Sequence, residues 1–409
     1  MVKEGQNFSE MYLDITRTVV ENGDCLNSRN GEVLELLNFQ TVINEPELRC
    51  VGGYSRNINI FFLLFEAMWI WLGKKDVEPL LIFNSNMKNF SDDGKTFHAP
   101  YGFRLRKYGV ASDFSLFKEM CIQQNLENYN YVNHTDGKDQ IEEAIKMLSS
   151  DNEDRRVVMS IWNPHLDLNF KCKDIPCNDM VMLKVRDGKL HLTVQNRSND
   201  LHWGLPTNVF QFSFIGTLIS QILGVKYGSQ THNSHSLHLY MNNPITLRLL
   251  NSKQENELYS QITKQDFFNA TKNKQNIFDC GCSSPKDAID RLNKVDDALK
   301  VCYEYLLQFD SELKGLKLSI GDIKIGVDSG FTYFDSITKL LSLYIFYKNL
   351  KQKDDSVRTL IINAIVEDIR TFPIDVAFLA ISFFTNRGYN ERELSNQASR
   401  LFSLVDFKM

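Results

Sequence analysis

The sequence has no apolar run of the length a bilayer requires. Its most apolar stretch, INIFFLLFEAMWIWLG (58–73), spans 16 residues with Glu66 at its centre, against the roughly 20 residues of a membrane-spanning helix. It is read instead as a buried helix. No secretory leader is expected either, because MVKEGQNFSEMYLDITRTVV (1–20) mixes acidic residues into its apolar pattern and has no hydrophobic core segment. The eight cysteines, at 25, 50, 121, 172, 177, 280, 282 and 302, are too sparse over 409 residues for a disulfide scaffold. Free thiols in a reducing cytoplasm are expected. The formal net charge of −5 excludes a global basic field for nucleic acid, so any anion site must be built from local arginines. There is no membrane signal, no clear internal repeat and no low-complexity tract. What remains is 43% hydrophobic and 24% charged, enough to bury one large core or two modest ones.

Residues 1 to about 245 read as alternating strands and long helices. RRVVMSIWNP (155–164) and GKLHLTVQNRS (188–198) carry the β-branched residues and partial alternation of strands. LPTNVFQFSFIGTLISQILG (205–224) reads as a buried helix, with Pro206 and Thr207 near its start and Gly224 at its end. A polar stretch over 251–283 separates a region 1–250 from a C-terminal region 284–409. In the latter, Ala288, Leu292, Val295, Leu299, Cys302 and Leu306 fall at helical spacing, predicting a mostly helical lobe.

Cys177 lies in KDIPCNDMVML (173–183). Taken alone, its thiol is open to three readings: core filler, metal ligand or nucleophile. Its surroundings are more specific. DRRVVMSIWNP (154–164) precedes it, and QNRSNDLHWGLPTN (195–208) and SHSLHLYMNN (234–243) follow. The order Arg-Arg, Trp-Asn, Pro-Cys, Arg-Ser-x-Asp, Gly-x-Pro-x-Asn, His-x-Tyr resembles the thymidylate synthase family, which includes phage deoxynucleotide hydroxymethylases. The resemblance covers roughly residues 25–245. It implies an α/β (α+β) fold with a mixed sheet at a dimer interface, here followed by a helical extension. It also implies dUMP and 5,10-methylenetetrahydrofolate as substrates, with neither nucleic acid nor membrane as partner, in a host cytoplasm if the chain is phage-encoded.

The implied chemistry explains the residue types. C5 of a uracil ring is a poor nucleophile until a group adds to C6, and a soft thiolate does this well, so Cys177 is the candidate nucleophile. A 5′-phosphate calls for arginine forks. By resemblance, Arg197 and Ser198 hold it within one subunit, Arg155 and Arg156 are lent across a dimer interface, and Arg29 is a further candidate. Asn208 matches the position that reads the pyrimidine edge. An amide there accepts from N3–H and donates to O4, the uracil pattern, whereas a carboxylate would suit cytosine; as a bare sequence feature, Asn208 could equally be a helix N-cap. His238 and Tyr240 match the pair at the sugar 3′-hydroxyl, and strand alternation puts them on one face. Glu66 matches a glutamate that organises water near O4, and a glutamate in so apolar a helix is costly without a role. Asp200 matches the aspartate at the folate pterin.

Two groups of residues invite a metal reading: His232, His235 and His238 at spacing three, and DCGC (279–282). On a strand His235 would face away from the other two histidines, and two cysteines without a second pair make a weak motif, so no metal is expected. The chain also departs from typical synthases. FNSNMKNFSDDGKTFHAPYGFRLR (83–106) has Phe90 as the aromatic where tryptophans normally cover the folate. Asn178 follows the nucleophile where histidine is usual, Asn196 precedes Arg197 where glutamine is usual, and no apolar C-terminal tail is recognisable. Acids that handle water, combined with missing shields, favour addition of water over hydride transfer. The expectation is therefore a deoxyuridylate hydroxymethylase. The alternatives are a divergent thymidylate synthase, a cytidine-nucleotide hydroxymethylase and a non-catalytic scaffold relative.

Overall fold

The computed structural model describes residues 1–28, 30–47, 58–109, 137–168, 171–243, 277–278, 281–315 and 325–350, with isolated positions at 361, 376, 380 and 383. Arg29, Cys50, Cys121 and Cys280, and nearly all of the segment expected to connect the two regions, lie outside them. Among the described residues, eight strands form one mixed sheet: β1 (Val2–Gly5), β2 (Asp24–Ser28), β3 (Gly31–Ile43), β4 (Val158–Ser160), β5 (Asn178–Arg186), β6 (Lys189–Asn196), β7 (Asn199–Asp200) and β8 (Lys226–Tyr240). The order is β1-β3-β8-β6-β5-β4, with β2 paired to β3 and β7 to β8. β1–β3, β6–β8 and β7–β8 are parallel, and the other pairs are antiparallel. The strand expected over 155–164 is confined to Val158–Ser160. Arg155 and Arg156 therefore lie just before it, both exposed.

The helices are α1 (Phe8–Asn22), α2 (Ile60–Trp71), α3 (Glu78–Leu81), α4 (Tyr101–Arg106), α5 (Gln140–Ser150), α6 (Pro164–Asp167), α7 (Gly204–Leu223), α8 (Pro285–Gly315) and α9 (Thr332–Asn349), with a 3-10 turn over Ser85–Phe90. The apolar stretch forms α2 as expected. Asn59 caps it by accepting from the Phe62 amide at 3.1 Å, and every residue of α2 except Glu66 is buried. Helix α7 is apolar on all sides, as a helix between a sheet and further helices must be. It ends at Gly224, whose φ of 69° is the left-handed conformation glycine adopts without strain. The N-cap alternative for Asn208 is overturned. The helix starts at Gly204 with Trp203 at the cap position, so Asn208 sits inside it with its side chain buried. Helices α2 and α4 touch closely at Gly102, where a Cβ would lie 1.9 Å from the Ile70 carbonyl oxygen.

The C-terminal helices α8 and α9 share one apolar core with β5 and β6 of the sheet and with α2, α5 and α7. Phe65 stacks on Phe83 (4.4 Å) and Tyr303 (5.4 Å), and Phe61 stacks on Tyr344 (4.6 Å). Polar ties follow the same seam. Trp71 Nε1 donates to Asp296 at 2.7 Å, Arg106 also binds Asp296, and Tyr344 Oη donates to the Phe83 carbonyl at 3.3 Å. No described helix is long and apolar enough to cross a membrane.

A buried ion cluster ties α4 to α6. Arg104 grips Asp167 with both guanidinium nitrogens (2.8 and 2.9 Å), and His98 Nε2 lies 3.0 Å from the same carboxylate. Burial disfavours the charged imidazole, but the Asp167 hydrogen bond and the neighbouring Cys172 together outweigh it and hold His98 at a pKa of about 9. The folded pKa is thus raised above the ordinary 6.5. The contribution is complete below pH 6.5 and is lost as pH rises through about 9, at most about 3 kcal/mol. The thermal midpoint is expected to fall between pH 7 and 9.5, and His98→Gln should flatten that slope. An unchanged slope in His98→Gln, read by circular dichroism melts, would remove His98 as its source.

Candidate active site

The β5–β6 hairpin sets the site. Asp187 and Gly188 both have positive φ (50° and 67°), the backbone demanded by a tight two-residue turn. From this turn the pairing runs back to Asn178 opposite Asn196, with a one-residue irregularity at Asp179. The residues just beyond these partners, Cys177 and Arg197, therefore come together. The Arg197 amide donates to the Cys177 carbonyl at 3.0 Å, and Arg197 Nη2 lies 3.6 Å from Cys177 Sγ. The guanidinium is held by the carbonyls of Pro176 (2.8 Å) and Ile175 (3.0 Å) and faces the Trp162 ring at 5.9 Å.

Acids surround the thiol. Burial pushes the Cys177 pKa up; Arg197 opposes this, and Asp174, Asp179 and Asp200 reinforce it. Burial likewise raises Asp174 and Asp179 to about 6 each. Tyr101, at the start of α4, is raised well above its usual value by burial, then by the Cys177, Asp174 and Glu66 charges, against a hydrogen bond from the Cys177 backbone. Glu66 projects from α2 and accepts from Gln211 Nε2 at 2.6 Å. Its burial, partly offset by that bond, brings its carboxyl to about 7. It can accordingly give or take a proton near neutrality.

Beside the thiol, four buried asparagines bond head to tail. Asn178 Nδ2 donates to Asn208 Oδ1 (3.1 Å), Asn208 Nδ2 to Asn199 Oδ1 (3.3 Å), Asn199 Nδ2 to Asn196 Oδ1 (3.2 Å), and Asn196 Nδ2 back to Asn178 Oδ1. Asn199 Nδ2 also reaches Ser234 Oγ at 3.1 Å. Ser198, next in the chain after Arg197, is half-buried. Asp200, on β7, accepts from the His202 amide at 2.8 Å and pairs in register with His238 on β8. His238 and Tyr240 are both half-buried, with rings 5.3 Å apart and edge to face. Burial lowers the His238 pKa against the pull of Asp200 and Glu35.

The structure thus brings together Cys177, Asn178, Arg197, Asn208 and the acid Asp200, with Glu66 facing them through Tyr101. It does not bring Arg155 and Arg156 to the same place within one chain; Arg156 turns back to Asp154 at 2.7 and 3.0 Å. Phe90 is 54% exposed, and a second exposed aromatic, Trp203 (56%), stands three residues beyond Asp200. Of the three histidines, His232 is buried with Gln230 Nε2 2.7 Å from its Nε2, while His235 is exposed and reaches Asn38.

Tyr101, Asp174, Asn199, Trp203 and Gln211 escaped the sequence reading. Tyr101 could have been found, because it stands in the stretch 83–106 that resembles the family's folate-covering segment. Asn199 was not, since its role arises only from the pairing of β7 with β8.

A family profile described as thymidylate synthase matches residues 10–282. Among curated proteins, the chain is 38% identical over 239 residues to a deoxyuridylate hydroxymethyltransferase of Bacillus phage SP01, covering 58% of each chain. It is 35% identical over 216 residues to the protein of the same name from Pseudomonas phage M6, covering 52% of this chain and 54% of that one. A thymidylate synthase of Listeria monocytogenes serotype 4a (strain HCC23) is 24% identical over 267 residues, covering 57% of this chain and 83% of the other. The matches span little more than half the length of the phage relatives.

Proposed function

The chain belongs to the thymidylate synthase family, and on that premise we propose that it is a deoxyuridylate hydroxymethylase, converting dUMP, 5,10-methylenetetrahydrofolate and water to 5-hydroxymethyl-dUMP and tetrahydrofolate. The observation that carries this reading is the Cys177 thiol 3.6 Å from the Arg197 guanidinium, beside the buried amide of Asn208. Cys177 Sγ adds to C6 and electron density moves to O4. C5 then bonds to the one-carbon unit and gives up its proton, and the bond from that carbon to the folate nitrogen breaks, so that tetrahydrofolate leaves. Water adds to the resulting exocyclic methylene, and the C6–S bond breaks to release the enzyme. Arg197, oriented by two backbone carbonyls, favours the thiolate by charge. Glu66 and Tyr101 move protons on the O4 side.

Asn208 accepts from N3–H and donates to O4, and His238 and Tyr240 hold the sugar. Arg197 and Ser198 bind the phosphate, together with Arg155 and Arg156 of a second copy and, in this reading, Arg29. Dimerisation is supported by the exposure of those two arginines and of Leu37 and Val158 on the sheet. The donor set suits folate: Asp200 offers a carboxylate to the pterin, and Trp203 and Phe90 offer flat apolar surface. Residues 1–250 form the catalytic region, 251–283 the connection and 284–409 a helical lobe.

Addition of water rather than hydride is supported by the phage relatives, which are named deoxyuridylate hydroxymethyltransferases, and by the exposure of Phe90 in the stretch that would cover the intermediate. A second reading, a divergent thymidylate synthase making dTMP, is favoured by exposed Trp203 beside Asp200. Mass spectrometry of products from dUMP and methylenetetrahydrofolate decides between them. Hydroxymethyl-dUMP without dihydrofolate is expected, and dTMP with dihydrofolate would replace the first reading by the second.

A further inference from the structure

The four asparagines at the site form a closed ring in which every amide donates to the next in one direction. Three of them are essentially sealed from solvent: Asn178 at 0%, Asn199 at 1% and Asn196 at 2%. Asn208 is the most open at 8%. An asparagine amide has two N–H donors and two oxygen lone pairs. The ring takes one of each from Asn208 and leaves one of each to face the pyrimidine.

Uracil presents N3–H and O4, whereas cytosine presents N3 and an amino group. The two bases therefore demand opposite orientations of the same amide. Turning Asn208 alone would set its NH2 against the NH2 of Asn178 and its oxygen against the oxygen of Asn199. Both contacts would be repulsive and out of reach of water, where unsatisfied polar groups are costly. We infer that Asn178, Asn196, Asn199 and Asn208 act as a lock on base choice, in which Asn196 and Asn199 fix the orientation of Asn208 without touching the base. Asn196 and Asn199 are positioning residues. This inference rests on the reading of Asn208 as the base-contacting residue.

The test compares tritium release from [5-³H]dUMP and [5-³H]dCMP with methylenetetrahydrofolate. Release follows bond formation at C5 and is indifferent to whether water or hydride arrives later. The quantity read is the dUMP-to-dCMP ratio of kcat/KM, which within one sample does not depend on the fraction of folded enzyme. Asn199→Ala opens the ring and should lower the ratio roughly tenfold or more. Asn199→Asp still accepts from Asn208 in either protonation state and should keep the ratio within about threefold of the parent. If Asn199→Ala does not yield folded protein, Asn196→Ser opens the ring at another corner and the same ratio is read. An unchanged ratio in the opened ring, or equal losses in Asn199→Ala and Asn199→Asp, overturns the inference. A parent enzyme that releases tritium from neither nucleotide, or equally from both, overturns the reading of the site and the inference with it.

Discussion

Tritium release from [5-³H]dUMP by a Cys177→Ala variant is expected to fall by roughly 10⁴-fold or more, with dUMP affinity within a few-fold of the parent. Without addition at C6, C5 has no route to become a nucleophile. The neighbouring carboxyls Asp174 and Asp179 are raised to about 6, and a carboxylate is a far weaker carbon nucleophile than a thiolate. Affinity should survive because the groups assigned to phosphate, sugar and base, namely Arg197, Ser198, His238, Tyr240 and Asn208, are untouched. Binding is read by calorimetry and turnover by tritium release. Residual turnover above a few per cent of the parent would remove Cys177 from its assigned role.

A chain ended at Ser283 is expected to lose cooperative folding altogether, although it retains every residue matched by the family profile. Removing α8 and α9 uncovers Phe61, Phe65, Trp71 and Phe83, all of which pack in the shared core. Fully burying each such side chain is worth about 1.5–3 kcal/mol. Four of them together match the whole net stability of a typical domain, about 5–15 kcal/mol. The cut also deprives Trp71 Nε1 of Asp296 and leaves Arg106 with Asp139 at 3.1 Å as its remaining acid. Expression of the two chains side by side, followed by thermal melts, measures this. A soluble fragment with a sharp melt would show that the lobe is an appendage rather than part of the core.

Much of this was legible in the sequence. The apolar run around Glu66 reported α2, the apolar stretch 205–224 with its boundary residues reported α7, and the helical spacing after residue 284 reported α8. Short polar elements were less readable. The strand at 155–164 shrank to Val158–Ser160 because it is an edge strand, paired on one side only. The asparagines at 178 and 196 were visible as departures from the family pattern. Their mutual contact was not, since it depends on a register set by Asp187 and Gly188 nine residues from either one. Trp203 was hidden for a different reason: an aromatic in front of a helix reads as core until burial is known.

The arrangement around Cys177 also bears on the protein's chemical durability. Burial and three aspartates push the Cys177 pKa up and so favour the protonated sulfur, with Arg197 the counterweight. Peroxides and alkylating agents attack thiolates, not thiols. The protein therefore stores its most reactive atom in a dormant state, and the same acids that slow its ionisation shield it from oxidative loss. In the proposed reaction the Cys177 thiol works in every cycle, and in a chain without a disulfide among its described cysteines this arrangement would keep it from being consumed between cycles.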